Sequence, residues 1–321
     1  HKDNHAGLMT KAQMDSFKSK YGISDGNEWN RFSEEKNNIE LDQYIKNLPF
    51  QKAKHRKYKS KKVLVDENIL IQETKISTQN AFGKILDQYA KNNTEFSQRI
   101  ITTSPDVSVS TNLGPWINRK GLFSRKDSSD TFKDRKIPSA QKWIFSSQGQ
   151  HIELGIAEMN LFLMLGAAGL SHEFFGERLF PIGTVYDPFI SRGLDAMNYV
   201  CYQDARFMIV GTPSGISLAP EGGAHQSIGT PLIGISQPGL LSFEPAFADE
   251  LALIMNYGFN FLQDEDGGSV YLRLSTRSID QPMREIDHEL KTNIIKGGYW
   301  LKKPGPNPEV VIVYQGAVAN E

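Results

Sequence analysis

HIELGIAEMNLFLMLGAAGL, residues 151–170, is followed by IGTVYDPFISRGLDAM at 182–197 and GTPSGISLAPEGGAHQS at 211–227. The first run reads as a short strand or loop to Glu153 and then an apolar helix over 156–170, rich in Leu, Met, Gly and Ala. The second joins an apolar strand over 179–185 to a helix over 189–202, with Pro188 suited to that helix's first turn. The third carries the strand ARFMIVGT (205–212) into a Gly-rich loop. Outward from there, PLIGIS (231–236) reads as a strand, 247–263 as a helix and SVYLRLS (269–275) as a strand. On the N-terminal side Ser77 is placed to cap a helix through Asn92, whose Phe82, Ile85, Leu86 and Tyr89 make one core-facing stripe. RIITTSPDVSVST (99–111) opens with a buried strand and ends in a loop. Strands and helices alternating at this spacing predict an α/β fold, a mostly parallel sheet with helices on both faces.

The 321 residues divide, on this reading, into a polar arm and linker (1–62), one α/β domain (63–300), and a linker that starts a further α/β domain with VVIVYQG (301–321). The arm holds a short helix from Thr10 to Tyr21, with Met14, Phe17 and Tyr21 on one face and Gly22 ending it, and a second from Ile39 to Leu48 stopped by Pro49. The basic run QKAKHRKYKSKK (51–62) reads as a solvated linker rather than a docking patch, because it lacks apolar periodicity. A polar stretch over 124–141 reads as a surface loop. The chain opens on His1 and closes on a strand-like run, which suggests a piece of a larger polypeptide.

Composition narrows the function classes. A net charge of -1 gives no general affinity for nucleic acid or acidic membranes. No apolar run is long enough to span a bilayer, and no signal peptide opens the chain, so a cytoplasmic location is expected. The one cysteine, Cys201, excludes an internal disulfide and reads as a small buried apolar residue. No His, Cys and Glu cluster has metal-ligand spacing.

Three features carry chemistry. Glu158 begins an apolar helix, where a carboxylate is either a water-facing acid favoured by the macrodipole or a buried functional acid needing a partner. Tyr186 and Phe189 fall where a strand gives way to a helix, at the edge where ligands bind in parallel sheets, and are either ordinary core or a stacking platform. His225 follows Gly222 and Gly223, whose backbone can turn sharply toward a ligand; on such a loop a histidine is a surface residue or a proton donor. Arg192 and Asp195 are spaced for an ion pair. Asp106 after Pro105 is a turn residue or a site residue.

GIAE before an apolar helix, then VYDPF–SRGLD, then EGGAHQS, in that order, resemble the pyrimidine-binding domain of the thiamine-diphosphate enzymes of the transketolase superfamily. The resemblance is strongest to the homodimeric E1 component of 2-oxo-acid dehydrogenases, the pyruvate dehydrogenase type, over about 100–282. It implies that Glu158 bonds the N1′ nitrogen of the aminopyrimidine ring, with burial raising its carboxyl pKa so that it shares a proton with the ring. It implies that Phe189 and Tyr186 pack on that ring, with Ile156 and Asp106 bordering the cofactor. His225 would face the substrate side, and His5 would match a histidine of a mobile loop. The implied reaction is decarboxylation of a small 2-oxo acid, pyruvate or a close analogue, with the acyl group passed to a lipoyl-bearing E2 partner. The GDG motif with its later Asn, which binds the diphosphate and Mg2+ in this superfamily, is not found here. That half would lie in a domain outside this chain. EGGAH in place of DGPTH favours the dehydrogenase branch. A transketolase-type two-carbon transferase remains an alternative, with Arg273 and Arg277 as candidates for a sugar-phosphate pocket. So does a non-catalytic scaffold or cofactor-half subunit.

Overall fold

A computed structural model describes residues 7–30, 38–52, 60–67, 69–126, 134–138 and 143–320. His5 and most of the polar stretch 124–141 lie outside the described residues, as does the greater part of the basic run 51–62. The chain divides into two compact units, 1–57 and 58–321.

In the first unit α1 (Lys11–Lys20) starts at a capping box, Thr10 accepting from the Gln13 amide while the Gln13 side chain accepts from the Thr10 amide. Its Phe17 and Tyr21 rings lie 4.6 Å apart but are exposed rather than packed into a core. The second helix, α2 (Asn38–Asn47), stops before Pro49, which then opens the single turn α3 (Pro49–Lys52).

The second unit is built on an eight-stranded sheet in which every pairing is parallel. A two-residue strand β1 (Lys75–Ile76) pairs separately with β10 (Ile279–Asp280). The main sheet comprises β2 (Ile100–Ser104), β3 (Leu122–Phe123), β4 (Phe145–Ser146), β5 (His151–Glu153), β6 (Phe180–Val185), β7 (Met208–Gly211), β8 (Leu240–Phe243) and β9 (Ser269–Arg273), in the order β4-β3-β5-β2-β6-β7-β9-β8. Alternation along the central strands feeds two cores. Met208 and Val210 join one, with Val270 and Leu272, while Ile209 and Tyr271 join the other. The first core receives α4 (Thr78–Asn92), α5 (Glu95–Arg99), α6 (Gly114–Lys120) and the later helix 248–261. The second receives α7 (Glu158–Gly169), followed by α8 (Ser171–Phe175), and α9 (Leu194–Tyr202). Helices thus cover both faces of a parallel sheet, the arrangement that near-continuous apolar strands require. Ser77 caps α4 through the Asn80 amide, and Phe82, Ile85, Leu86 and Tyr89 are all buried.

Two expectations are corrected. PLIGIS is a helix, α10 (Pro231–Ser236), not a strand. Pro231 has no N–H for a ladder and a φ already suited to the first helical position, so the apolar run winds up and leaves Leu232 and Ile235 exposed. The helix expected over 189–202 begins as a 3-10 turn over Asp187–Gly193 and becomes α-helical only at Leu194, because Asp187 is drawn into the core by partners described below. The run VVIVYQG joins no ladder among the described residues, and Val310, Ile312 and Val313 are exposed. The last helices, α11 (Ala248–Phe261) and α12 (His288–Ile295), close the first core. Among the described residues no helix is long and apolar enough to cross a membrane.

Candidate functional site

The site lies beyond the C-terminal ends of β2, β5, β6 and β7, where a parallel sheet exposes its loops. Glu158 is the first residue of α7 and is only 8% exposed. Its partner is Arg192, whose Nη1 donates to Glu158 Oε1 at 2.8 Å. The expected pairing of Arg192 with Asp195 is therefore replaced by one across the fold. The 3-10 turn points Arg192 back over the start of α7, with its guanidinium carbon 3.9 Å from the centre of the Phe189 ring. Gly193 makes this approach possible: a Cβ there would sit 2.3 Å from Phe162 Cδ2 and 2.8 Å from the Glu158 carbonyl oxygen.

The aromatic pair and the histidine come together. Ring centroids are 5.9 Å apart for Tyr186 and Phe189, 5.3 Å for Tyr186 and His225, and 6.3 Å for Phe189 and His225. His225 ends a 3-10 turn after Gly222, whose φ of +91° favours glycine. Its Nδ1 is buried with no hydrogen-bond partner, and its Nε2 lies 3.8 Å from the Glu221 carboxylate. Contacts thus run unbroken from Glu158 through Arg192 and Phe189 to Tyr186 and His225.

Asp106 and Ile156 stand apart from that run. Asp106 is exposed at the start of the loop after β2, in a left-handed conformation with φ +65°. Ile156 is 77% exposed, two residues before Glu158. Asp106 is tied to a residue that the sequence reading passed over. Glu153, at the end of β5, accepts from the amides of Asp106 (2.8 Å), Leu154 (3.1 Å) and Gly155 (3.3 Å), and from Ser108 Oγ at 2.5 Å. Burial pushes its carboxyl up, but the hydrogen bonds from His151, Ser108 and the Asp106 amide outweigh that and bring it down to about 2. His151 is fully buried and shares hydrogen bonds with Thr102 Oγ1 at 2.9 Å and Ser108 Oγ at 3.0 Å. The signal for this network was present in the strand HIE, since His151 and Glu153 point to the same side.

Arg273 is not free for a phosphate. It is 3% exposed, and its guanidinium is taken up by Asp187, Glu244 and the Ser227 carbonyl. Among the described residues no group of three or more His, Cys, Asp or Glu side chains is placed to hold a metal ion. A separate cleft of about 530 Å³, lined by residues such as Glu73, Asp249, Met283 and Arg284, shares no residue with the site.

An eight-stranded parallel sheet of this order, with an acid, two aromatics and a histidine gathered at one edge, defines a transketolase-like α/β domain. The fold is shared with a transketolase variant from Pichia stipitis (TM-score 0.55, 17% identity, covering 73% of this chain and 30% of that one). It is shared too with transketolase from Leishmania mexicana (TM-score 0.52, 17% identity, 67% and 28% covered). The chain belongs to the family described as the pyruvate dehydrogenase E1 component middle domain, whose model matches residues 62–282. Similar curated proteins include the pyruvate dehydrogenase E1 component of Escherichia coli strain K12, 25% identical over 253 residues covering 77% of this chain. The corresponding component of Mycolicibacterium smegmatis is 27% identical over 212 residues covering 65%. The chain spans 28% and 22% of the length of these two relatives.

Proposed function

We propose that this chain supplies the pyrimidine-ring half of a thiamine-diphosphate-dependent 2-oxo-acid dehydrogenase E1, acting on pyruvate or a close analogue. The observation that carries the reading is the unbroken run from Glu158 through Arg192 and Phe189 to Tyr186 and His225. The residues fit an aminopyrimidine. A buried carboxylate, with Oε1 engaged by Arg192, can hold a proton at a ring nitrogen, and two aromatic rings offer a face for stacking. The buried, unpartnered Nδ1 of His225 is a polar atom in want of a ligand. When bound, thiamine diphosphate supplies the carbon nucleophile for decarboxylation; the chain's task is to orient the ring and govern its protons. Glu158 holds the ring proton. Arg192 keeps that carboxylate in place and backs Phe189. His225 serves protons or developing negative charge on the substrate side.

The reading extends to parts outside this chain: Mg2+ and the diphosphate on another domain, a homodimer, a lipoyl-bearing E2 acyltransferase as acceptor, and a cytoplasmic setting. Burial of Arg273 speaks against the sugar-phosphate alternative. The test is release of labelled CO2 from a panel of 2-oxo acids by the whole protein with thiamine diphosphate, Mg2+ and an artificial electron acceptor. Turnover of one acid, falling about 10²–10⁴-fold in Glu158→Ala, is expected. A Glu158→Ala protein with full activity refutes the role of Glu158. Ketol transfer between sugar phosphates instead of CO2 release points to a transketolase, and silence in both assays to a scaffold.

A further inference from the structure

Beside the aromatic turn lies a second group of charges, Asp187 and Arg273 buried and Glu244 partly so. Asp187 is fully buried, and it sits in the sequence between Tyr186 and Phe189. Its carboxylate accepts from the hydroxyls of Tyr271 and Thr230 and from Arg273 Nε at 3.3 Å. Arg273, the last residue of β9, uses its other two nitrogens elsewhere: Nη1 donates to the Glu244 carboxylate, and Nη2 donates to the Ser227 carbonyl oxygen at 2.9 Å. Ser227 lies two residues beyond His225, and its hydroxyl accepts from the Gly215 amide at 3.1 Å, closing the neck of the loop that carries the histidine.

We infer that Arg273 is a positioning residue, fixing the turn that presents Tyr186 and Phe189 against the loop that presents His225. One planar guanidinium spans both segments, and its fork geometry sets their separation in a way that a single-point donor cannot. Buried ion pairs are often replaceable by apolar groups without loss of stability, so such a cluster directly beside the candidate site has geometry rather than stability as its role. Thr230 extends the same link, since its hydroxyl donates to Asp187 from just beyond the His225 loop. The inference rests on the functional reading above for its purpose, but its geometry can be tested without any cofactor.

The experiment is NMR on the full 321-residue chain with ring-labelled histidine, the His225 signal being assigned by its loss in His225→Gln. With the Tyr186 and Phe189 rings this near, the His225 ring proton resonance is expected to be displaced from the free-histidine position. Two variants follow. Arg273→Lys keeps a charge opposite Asp187 but cannot reach Ser227 and Asp187 together. The double variant Asp187→Asn with Arg273→Met removes both charges at once and avoids a lone buried carboxylate at Asp187. The expected result is a folded protein in which the displacement of the His225 resonance is lost. Either variant folding with the displacement intact overturns the inference. So does a parent chain in which His225 is not displaced. Failure of both variants to fold makes Arg273 a general folding residue and overturns the positioning role as well. Loss of the displacement in the variants, together with a parent protein that in whole form shows no affinity for thiamine diphosphate, would sink the functional reading alone.

Discussion

Replacing Glu153 by Gln is the sharpest test of how the loops around Glu158 are held. The carboxylate is 27% exposed and gathers three backbone amides and the Ser108 hydroxyl at one point. Two of those amides belong to Leu154 and Gly155, the turn that leads into α7; the third is that of Asp106. Folding takes this carboxyl from its ordinary 4.5 to about 2. At about 1.4 kcal/mol for each pH unit, that amounts to at most about 3.5 kcal/mol of stability from the charged form. A carboxyl whose folded value is depressed contributes fully above its unfolded value and loses that contribution as pH falls through the folded one. Glu153→Gln should therefore be less stable than the parent by up to about 3.5 kcal/mol at pH 7, and by less than about half of that near pH 3. Urea unfolding followed by circular dichroism at several pH values measures the gap directly. A gap below about 1 kcal/mol at neutral pH refutes the reasoning. So does a gap that stays constant in acid.

Three other outcomes are expected. Phe259→Ala removes a ring that meets Tyr89, Phe96 and Phe180 edge-on at centroid distances of 6.0, 4.9 and 5.8 Å. It should destabilise the chain by about 3–5 kcal/mol in denaturant titration. Gly193→Ala places a methyl against Phe162 and the Glu158 carbonyl; the turn must shift, and CO2 release by the whole protein should fall by more than in a Gly→Ala control at the exposed Gly305, where a methyl meets nothing. Cys201 is buried, and burial pushes its thiol up to about 11. Iodoacetamide should leave it unmodified in the native chain and label it only in denaturant, as read by mass spectrometry.

The central strands β6, β7 and β9 were legible because they are buried along their whole length, and the helices carry local signals: Ser77 before α4, the small and aliphatic residues of α7, Pro188 at the turn; the short outer strands β3 and β8 carry no such signal and escaped. What escaped is what depends on partners far along the chain. Arg192 was paired with Asp195 three residues away, yet it bonds Glu158, 34 residues earlier. Arg273 was a candidate for a sugar-phosphate pocket only on the transketolase alternative, because its partner Asp187 lies 86 residues away and nothing near YLRLS announces a buried carboxylate. The helix at Pro231–Ser236 escaped for another reason. An apolar run that short fits either period, and Pro231 was the one residue that argued against a ladder.

The residues with candidate chemical roles come from three separate segments: the start of α7, the turn after β6 and the loop after β7. Each acts from a first helical turn or a 3-10 turn, where the backbone's own hydrogen bonds do not alone set its place. Each is instead held by a charged group anchored at the end of a strand. Glu153 closes the turn into α7, and Arg273 spans the aromatic turn and the His225 loop. Side chains that define chemistry are thus separated from those that define spacing.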